Sequence, residues 1–168
     1  MNNFLRTAAA LAVLTLGATP ALAVPATQNA TATARIIKPL SLTSTQNLDL
    51  GTITLIGSGA TTVGIDQTNT LSCPAAGNVT CSGTTSVAIY RVTGTNNQSV
   101  TVTAPDFLLT NQSDNTKTLM LDVNAPATVN LGNSGNAGTP FNIGGAVTVN
   151  GTTAEGTYTG TFAVTVNY

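Results

Sequence analysis

Short runs of alternating apolar and polar residues dominate the chain after about its first two dozen positions. Clusters of Gly, Asn, Pro and Ser separate these runs, and such clusters are typical of turns. Apolar residues do not recur at helical spacing over any useful length, so strands are favoured over helices. The predicted strands span residues 30–43, 48–56, 61–65, 85–93, 99–104, 118–124, 146–150 and 157–168.

Several short strands at turn-marked intervals predict an antiparallel β-sandwich. Threonine, which makes up roughly a fifth of the chain, favours strands together with valine. A closed barrel is an alternative, and so is a threonine-rich β-solenoid, although no fixed repeat period is present. The core is expected to be aliphatic, because the alternating runs bury valine, leucine and isoleucine on one face.

The first 23 residues have the pattern of an export signal. Arg6 supplies a positive charge, an apolar stretch covers residues 8–18, and Ala21-Leu22-Ala23 resembles a signal-peptidase site. A core helix or a membrane anchor is the alternative, but the apolar run is too short to span a bilayer comfortably. We therefore predict a signal peptide over residues 1–23 and export through the inner membrane, to the cell surface or the periplasm.

Composition argues against catalysis. Charged residues make up 7% of the chain, and histidine is absent. A histidine general base, a Ser-His-Asp triad and a histidine-ligated zinc site are therefore excluded. The net charge of −1 gives no basic footprint for nucleic acid. We expect no enzyme activity, no cofactor, no metal site, no nucleic-acid partner and no transmembrane span in the mature protein.

The two cysteines, Cys73 and Cys81, bracket a short loop. In an exported chain two cysteines normally form one disulfide, and this spacing does not fit a C-x-x-C redox motif. We predict a structural disulfide between them.

The C-terminal run alternates strictly from Gly156 to Tyr168, the last residue of the sequence given. Its apolar face carries Phe162, Val164, Val166 and Tyr168. An apolar strand with an open edge is an aggregation hazard, so another strand is expected to pair with it.

Residues 30–42 offer a candidate partner. One face carries Ala30, Ala32, Ala34 and Ile36, and the run continues to Leu40 and Leu42, the last residues of this donor segment. Such a segment can complete the sheet of its own domain or that of a neighbour by β-strand addition. The residues alone leave both possibilities open.

The C-terminal pattern G-x-Y-x-G-x-F-x-V-x-V-x-Y, from Gly156 to Tyr168, resembles that of a family of known proteins. It resembles the end of bacterial pilin-like proteins of the archaic chaperone–usher and spore-coat-U group. It is even more similar to a related domain-of-unknown-function family of exported proteobacterial proteins. Residues 35–42 with 48–53, and residues 87–94 with 99–102, carry the same resemblance.

The resemblance implies an incomplete immunoglobulin-like sandwich that is completed by an N-terminal donor strand. A periplasmic chaperone would lend a strand, an outer-membrane usher would export the subunit, and a neighbouring copy or related subunit would then donate its extension. By position, the donor residues are those of residues 30–42 named above, and the acceptor residues are those of the C-terminal face. Pro39 interrupts the donor segment, and the local cysteine pair departs from the usual pilin pattern.

The sequence thus predicts a signal peptide (1–23), an extension or donor strand (24–42) and a β-sandwich domain (43–168). The predicted function is a structural subunit of a pilus-like surface filament, assembled by donor-strand complementation. The alternative is a self-complemented, monomeric, secreted or periplasmic binding module.

Overall fold

The computed structural model describes residues 25–74, 77–133, 135 and 137–168. The predicted signal peptide lies outside the described residues. Residues 25–40 have no regular secondary structure, and residues 36–168 form one compact unit. Every element of that unit is a strand or an irregular connection, and no described helix has the length and apolar character needed to cross a bilayer.

The strands, in chain order, are β1 Ser41–Gln46, β2 Thr52–Leu55, β3 Thr61–Ile65, β4 Leu71–Ser72, β5 Val79–Ser82, β6 Ala88–Thr93, β7 Ser99–Thr103, β8 Phe107–Asn111, β9 Thr118–Asn124, β10 Thr128–Asn130, β11 Thr139–Val149, β12 Tyr158–Thr159 and β13 Thr165–Asn167. The predictions for 61–65 and 118–124 coincide with β3 and β9.

The fold is an all-β antiparallel sandwich, as predicted. The large sheet has the order β1-β6-β11-β9-β8-β12, with β3 also paired to β11 and β4 to β3. A second sheet has the order β10-β7-β13, and β2 pairs with β5 in a separate ribbon. All of these pairings are antiparallel, as expected for strands that bury one face and expose the other.

Strand β11 is the spine of the large sheet. Its first half pairs with β6, and from Gly144 onward it pairs with β9 on one edge and with β3 on the other. A side chain at Gly144 would collide with the backbone oxygen of Ile65, so glycine is required where the strand passes from one neighbour to the next.

Two apolar clusters fill the interior. The first packs β6 and the start of β11 against the β10-β7-β13 sheet, with Val92, Val100 and Ile143 fully buried. The second joins β2, β3, β5, β9 and the end of β11 around Val63 and Val147. Phe162 packs against both clusters, so the C-terminal segment links them.

Several predicted strands differ in extent from the structure, and the strand predicted over 146–150 is the end of β11, which begins at Thr139. Residues 30–40 lie outside any strand, and the first strand begins at Ser41. The strand predicted over 157–168 is split into β12, which pairs with β8, and β13, which pairs with β7. The split accompanies a change of sheet, because β8 belongs to the large sheet and β7 to the second sheet.

Candidate functional site

A groove of about 1390 Å³ opens between two segments of the domain. Residues 46–55 form the first wall, and residues 153–162 form the second. Apolar side chains form the floor: Ala88, Tyr90, Leu109, Leu119, Leu121, Val147 and Val149. An apolar floor between two extended walls is the shape that accepts an extended peptide.

One end of the groove is closed. The N–H of Gly151 donates a hydrogen bond of 3.3 Å to the carbonyl oxygen of Ser58. Ser58 follows the first wall in the chain, and Gly151 precedes the second. The two walls therefore run antiparallel to each other from this closed end towards Gln46 and Phe162.

The first wall presents a free strand edge to the groove. Among the described residues β2 pairs only with β5, and Ile56, just beyond it, donates its N–H to Asn78 on that same side. Backbone groups alternate between the two edges of a strand. The main-chain groups of Ile53 and Leu55 therefore point away from β5, towards the open edge.

The second wall presents a free edge in the same way. Within the described part of the chain β12 pairs only with β8, and the carbonyl oxygen of Thr157 accepts a hydrogen bond of 2.8 Å from the N–H of Gln112. By the same alternation, the main-chain groups of Tyr158 face the other edge. Two unpaired edges thus flank one apolar floor.

Asn111 holds the second wall in place. Its side chain is 1% exposed, and its Nδ2 donates a 2.8 Å hydrogen bond to the carbonyl oxygen of Glu155. Its Oδ1 accepts hydrogen bonds from the N–H groups of Ser113 and Asp114. This buried amide thus joins the wall, through its Nδ2, to the turn between β8 and β9, which its Oδ1 holds.

The cysteine pair stabilises the region beside the first wall. Cys73 and Cys81 form the predicted disulfide, and Cys81 lies in β5 opposite Ile53 of β2. Asn78, inside the closed loop, accepts hydrogen bonds from the N–H groups of Ile56, Gly57 and Gly59. The disulfide therefore fixes the segment that leads to the closed end of the groove.

The predicted donor residues fall into two groups. Ala30, Ala32, Ala34 and Ile36 are exposed and outside any strand, and Ile36 is 89% exposed. Leu40 and Leu42 are half-buried against the chain's own first cluster. The exposed part of the donor segment, which lies outside any strand, therefore ends before Leu40.

The predicted acceptor residues are also divided. Phe162 lines the groove, whereas Val164 and Val166 pack against the first cluster. Tyr168 is 45% exposed, and its hydroxyl group is hydrogen-bonded to Lys38 and Thr95. Only the beginning of the predicted acceptor face thus belongs to the groove.

A strand was predicted over residues 48–56, but neither its role as the first wall nor the clamp formed by Asn111 was predicted. Alternation of Leu48 and Leu50 with polar residues was visible, but nothing local shows that an edge will stay unpaired. Asn111 lies in a polar stretch that is typical of any turn, so its burial was not predictable.

Other chemistry is sparse. No group of three or more His, Cys, Asp or Glu side chains in the described residues could hold a metal ion. Asp66 and Asp114, away from the groove, accept hydrogen bonds within their own turns. For Asp66 the hydroxyl of Thr68 is the main cause that lowers the pKa, and for Asp114 it is the hydroxyl of Thr116.

Comparison with known proteins gives one match. The profile of a family described as Domain of unknown function (DUF4402) matches residues 40–168, which include both walls of the groove. No curated protein and no solved structure matched the chain. The chain therefore belongs to the DUF4402 family.

Proposed function

We propose that the protein is a structural subunit of a fimbria-like surface filament and that subunits join by donor-strand complementation. The observation that carries the proposal is the groove with an unpaired strand edge on each wall and an apolar floor. An inserted strand would pair with Ile53 and Leu55 on one wall and with Tyr158 on the other. Its alternate side chains would cover the floor.

The donor in this proposal is the exposed extension of a neighbouring copy. Residues 30–36 alternate apolar with polar residues, and the apolar positions end at the large side chain of Ile36. Ile36 is 89% exposed, although burial of such a side chain stabilises a protein by about 1.5–3 kcal/mol. A site on a second molecule that buries Ala30, Ala32, Ala34 and Ile36 accounts for that exposure.

The distance from the extension to the groove favours a donor strand from a neighbouring molecule over one from the same chain. The extension leaves the domain at Lys38, and the groove begins beyond Gln46, at the far end of β1. The length of β1 corresponds to about 17 Å of extended chain, or about five residues. A segment that folds back from Lys38 would use residues 33–37 to reach its own groove, so Ala34 and Ile36 could not enter it.

Exposed main-chain edges explain why helper proteins are expected. Before assembly, the open groove would invite non-specific strand pairing. A periplasmic chaperone that lends a strand would prevent this pairing, and an outer-membrane usher would exchange that strand for the extension of the next subunit. Both partners, and the export that brings the chain to them, belong to the proposal and rest on the resemblance to chaperone–usher pilins.

A matched pair of variants tests the proposal. Ala32→Asp places a charge on the face that would meet the apolar floor, whereas Thr33→Asp places it on the opposite face. Both positions are exposed in the free chain, so neither substitution should alter folding of the domain. Surface protein is sheared from cells and run in detergent without boiling.

We expect a ladder that collapses on heating for the wild type and for Thr33→Asp, and a monomer band for Ala32→Asp. Ladders of equal intensity from both variants would contradict the proposed insertion. A single monomer band from the wild type would favour the self-complemented module instead.

A further inference from the structure

Two hydrogen bonds hold the root of the extension on the domain, and a third joins the two domain residues that make them. The N–H of Lys38 donates to Oγ1 of Thr95 at 2.6 Å, and the N–H of Thr95 donates to the hydroxyl of Tyr168 at 2.7 Å. That hydroxyl in turn donates to the carbonyl oxygen of Lys38 at 2.6 Å. We call Lys38, Thr95 and Tyr168 the latch. Both main-chain groups of Lys38 are therefore held by the domain.

The latch is tightly packed. A Cβ atom added at Gly94 would lie 2.6 Å from the Tyr168 hydroxyl and 2.8 Å from Cδ2 of Leu40. Leu40 itself packs against the first cluster. The chain is thus held against the domain from Lys38 onward.

This arrangement leaves a very short linker between the inserted segment and the latched residue. In the proposed filament the last inserted side chain is Ile36, and only Ile37 separates it from the latched Lys38. Two residues of extended chain span at most about 7 Å. When Ile36 is buried in a neighbour's groove, the latch of the donor subunit must lie within that distance of it.

We infer, on the basis of the proposed function, that successive subunits abut at the latch of the donor and form a stiff joint there. The surface fits this role, because it exposes two large side chains at the root of the extension: Ile37 is 50% exposed and Tyr168 is 45% exposed. The occupant of this surface is the groove end of a second copy of the chain. The one-residue linker restricts bending between subunits, and so does the contact of Ile37 and Tyr168 with the second copy.

Insertion of Gly-Ser-Gly-Ser between Ile37 and Lys38 tests the joint in the full-length, exported protein. The control carries the same four residues between Pro25 and Ala26, upstream of the inserted segment, and leaves the linker unchanged. Subunit spacing and persistence length are measured on negatively stained filaments.

We expect the 37/38 insertion to lengthen the spacing by at most about 13 Å and to lower the persistence length several-fold. The control should match the wild type. Loss of filaments confined to the 37/38 insertion, with an unchanged circular dichroism spectrum, would also support a joint that depends on linker length. Filaments of unchanged spacing and stiffness would overturn it.

A second variant tests the effect of the latch independently of the linker length. Tyr168→Phe removes the hydroxyl that fastens Lys38 but keeps the chain length and the aromatic ring. We expect normal ladders and filaments that bend more than the wild type, whereas filaments as stiff as the wild type would show that the latch does not restrict the joint. Failure of the proposed function looks different, because the wild type and the control insertion would then form no filaments either.

Discussion

Tyr168 donates its phenolic hydroxyl to the carbonyl oxygen of Lys38, 130 positions earlier in the chain. The contact joins the last residue of the sequence to the point where the irregular N-terminal segment meets the domain. The same C-terminal segment forms the second wall of the groove over residues 153–162. One stretch of chain therefore helps to form both the acceptor groove and the anchor of the extension.

The first prediction concerns this hydrogen bond. Tyr168→Phe should lower the free energy of unfolding by about 1–3 kcal/mol, because the hydroxyl donates one hydrogen bond to Lys38 and accepts another from Thr95. Hydrogen exchange of the Thr95 amide should rise, because that N–H loses its acceptor. Tyr158→Phe is the control, since the Tyr158 hydroxyl donates only to Ala154, four residues away. Equal exchange at Thr95 in both variants would contradict the role of the latch.

The second prediction separates binding from folding. Ile36→Ala should leave the unfolding midpoint of the monomer unchanged, because the side chain is 89% exposed there. It should weaken subunit association by about 2 kcal/mol, or roughly 30-fold, if Ile36 is buried in a groove. Leu108→Ala is the control, as Leu108 is 49% exposed on β8, outside the donor segment. Association is measured by competition with a labelled peptide of residues 25–37. Equal weakening by both variants would argue against a specific role for Ile36.

Val164 is a poor choice for such a test. It packs against the first cluster, so a charge at this position would damage the fold and the groove together. Variants in the exposed extension avoid this problem, because they leave the packed core unchanged.

The third prediction concerns Gly156, which fixes the second wall. Its φ is +134°, and an added Cβ would lie 2.6 Å from Nδ2 of the buried Asn111. Gly156→Ala should therefore reduce the free energy of unfolding by about 1–3 kcal/mol and should weaken strand insertion. Gly77→Ala is the matched control, since Gly77 has φ +83° but no atom within 4 Å of its added Cβ. Urea titration measures the loss of unfolding free energy in each variant. Equal losses would mean that the positive φ alone, and not the contact with Asn111, causes the destabilisation.

The fourth prediction concerns acid. Oδ1 of Asp66 accepts hydrogen bonds from the hydroxyl of Thr68 and from the N–H groups of Thr68 and Thr70, and these bonds lower the pKa of Asp66. Because the pKa is lower in the folded state, the stabilisation is complete above the usual aspartate pKa of about 4 and is lost as the pH falls below it. Asp66→Asn keeps an oxygen acceptor but cannot titrate.

The urea midpoints of the wild type and Asp66→Asn should therefore differ at pH 7 and converge towards pH 2. The effect should be small, because Asp66 is exposed. A constant difference across that range would contradict a contribution from the ionised carboxylate.

The sequence predicted strand bounds well where an alternating run was flanked by turn residues. β3 and β9 coincide with the predicted bounds because each is an alternating run between turn residues. β8 was missed, since Phe107-Leu108-Leu109 does not alternate, and one of these side chains is left outside the core. The first half of β11 was also missed, because Gly144-Gly145 resembles a strand end, whereas those glycines let the strand pass close to β3.

Local sequence patterns could not predict the groove. Its walls lie about 100 positions apart in the chain, and its defining property is that each has an edge that pairs with no other strand of the described residues. Strand alternation predicts an apolar face in the C-terminal run, but the division of that face between Phe162 in the groove and Val164 against the first cluster depends on tertiary packing.

The last prediction concerns the disulfide between Cys73 and Cys81, which are 8 positions apart. Closing so short a loop stabilises the folded chain by up to about 2.5 kcal/mol through the entropy of the unfolded state. The loop also holds Asn78, whose main-chain and side-chain oxygens accept hydrogen bonds from Ile56, Gly57 and Gly59 beside the closed end of the groove.

A variant with both cysteines replaced by serine should therefore lose stability and also expose the amides of Ile56 and Gly57 to faster hydrogen exchange. The amide of Asn111 donates to Lys117 in a distant turn and serves as the internal reference. Faster exchange confined to residues 56–59 would show that the disulfide holds the end of the groove. A uniform increase across the domain would show that it acts only on global stability, since every amide then exchanges through complete unfolding.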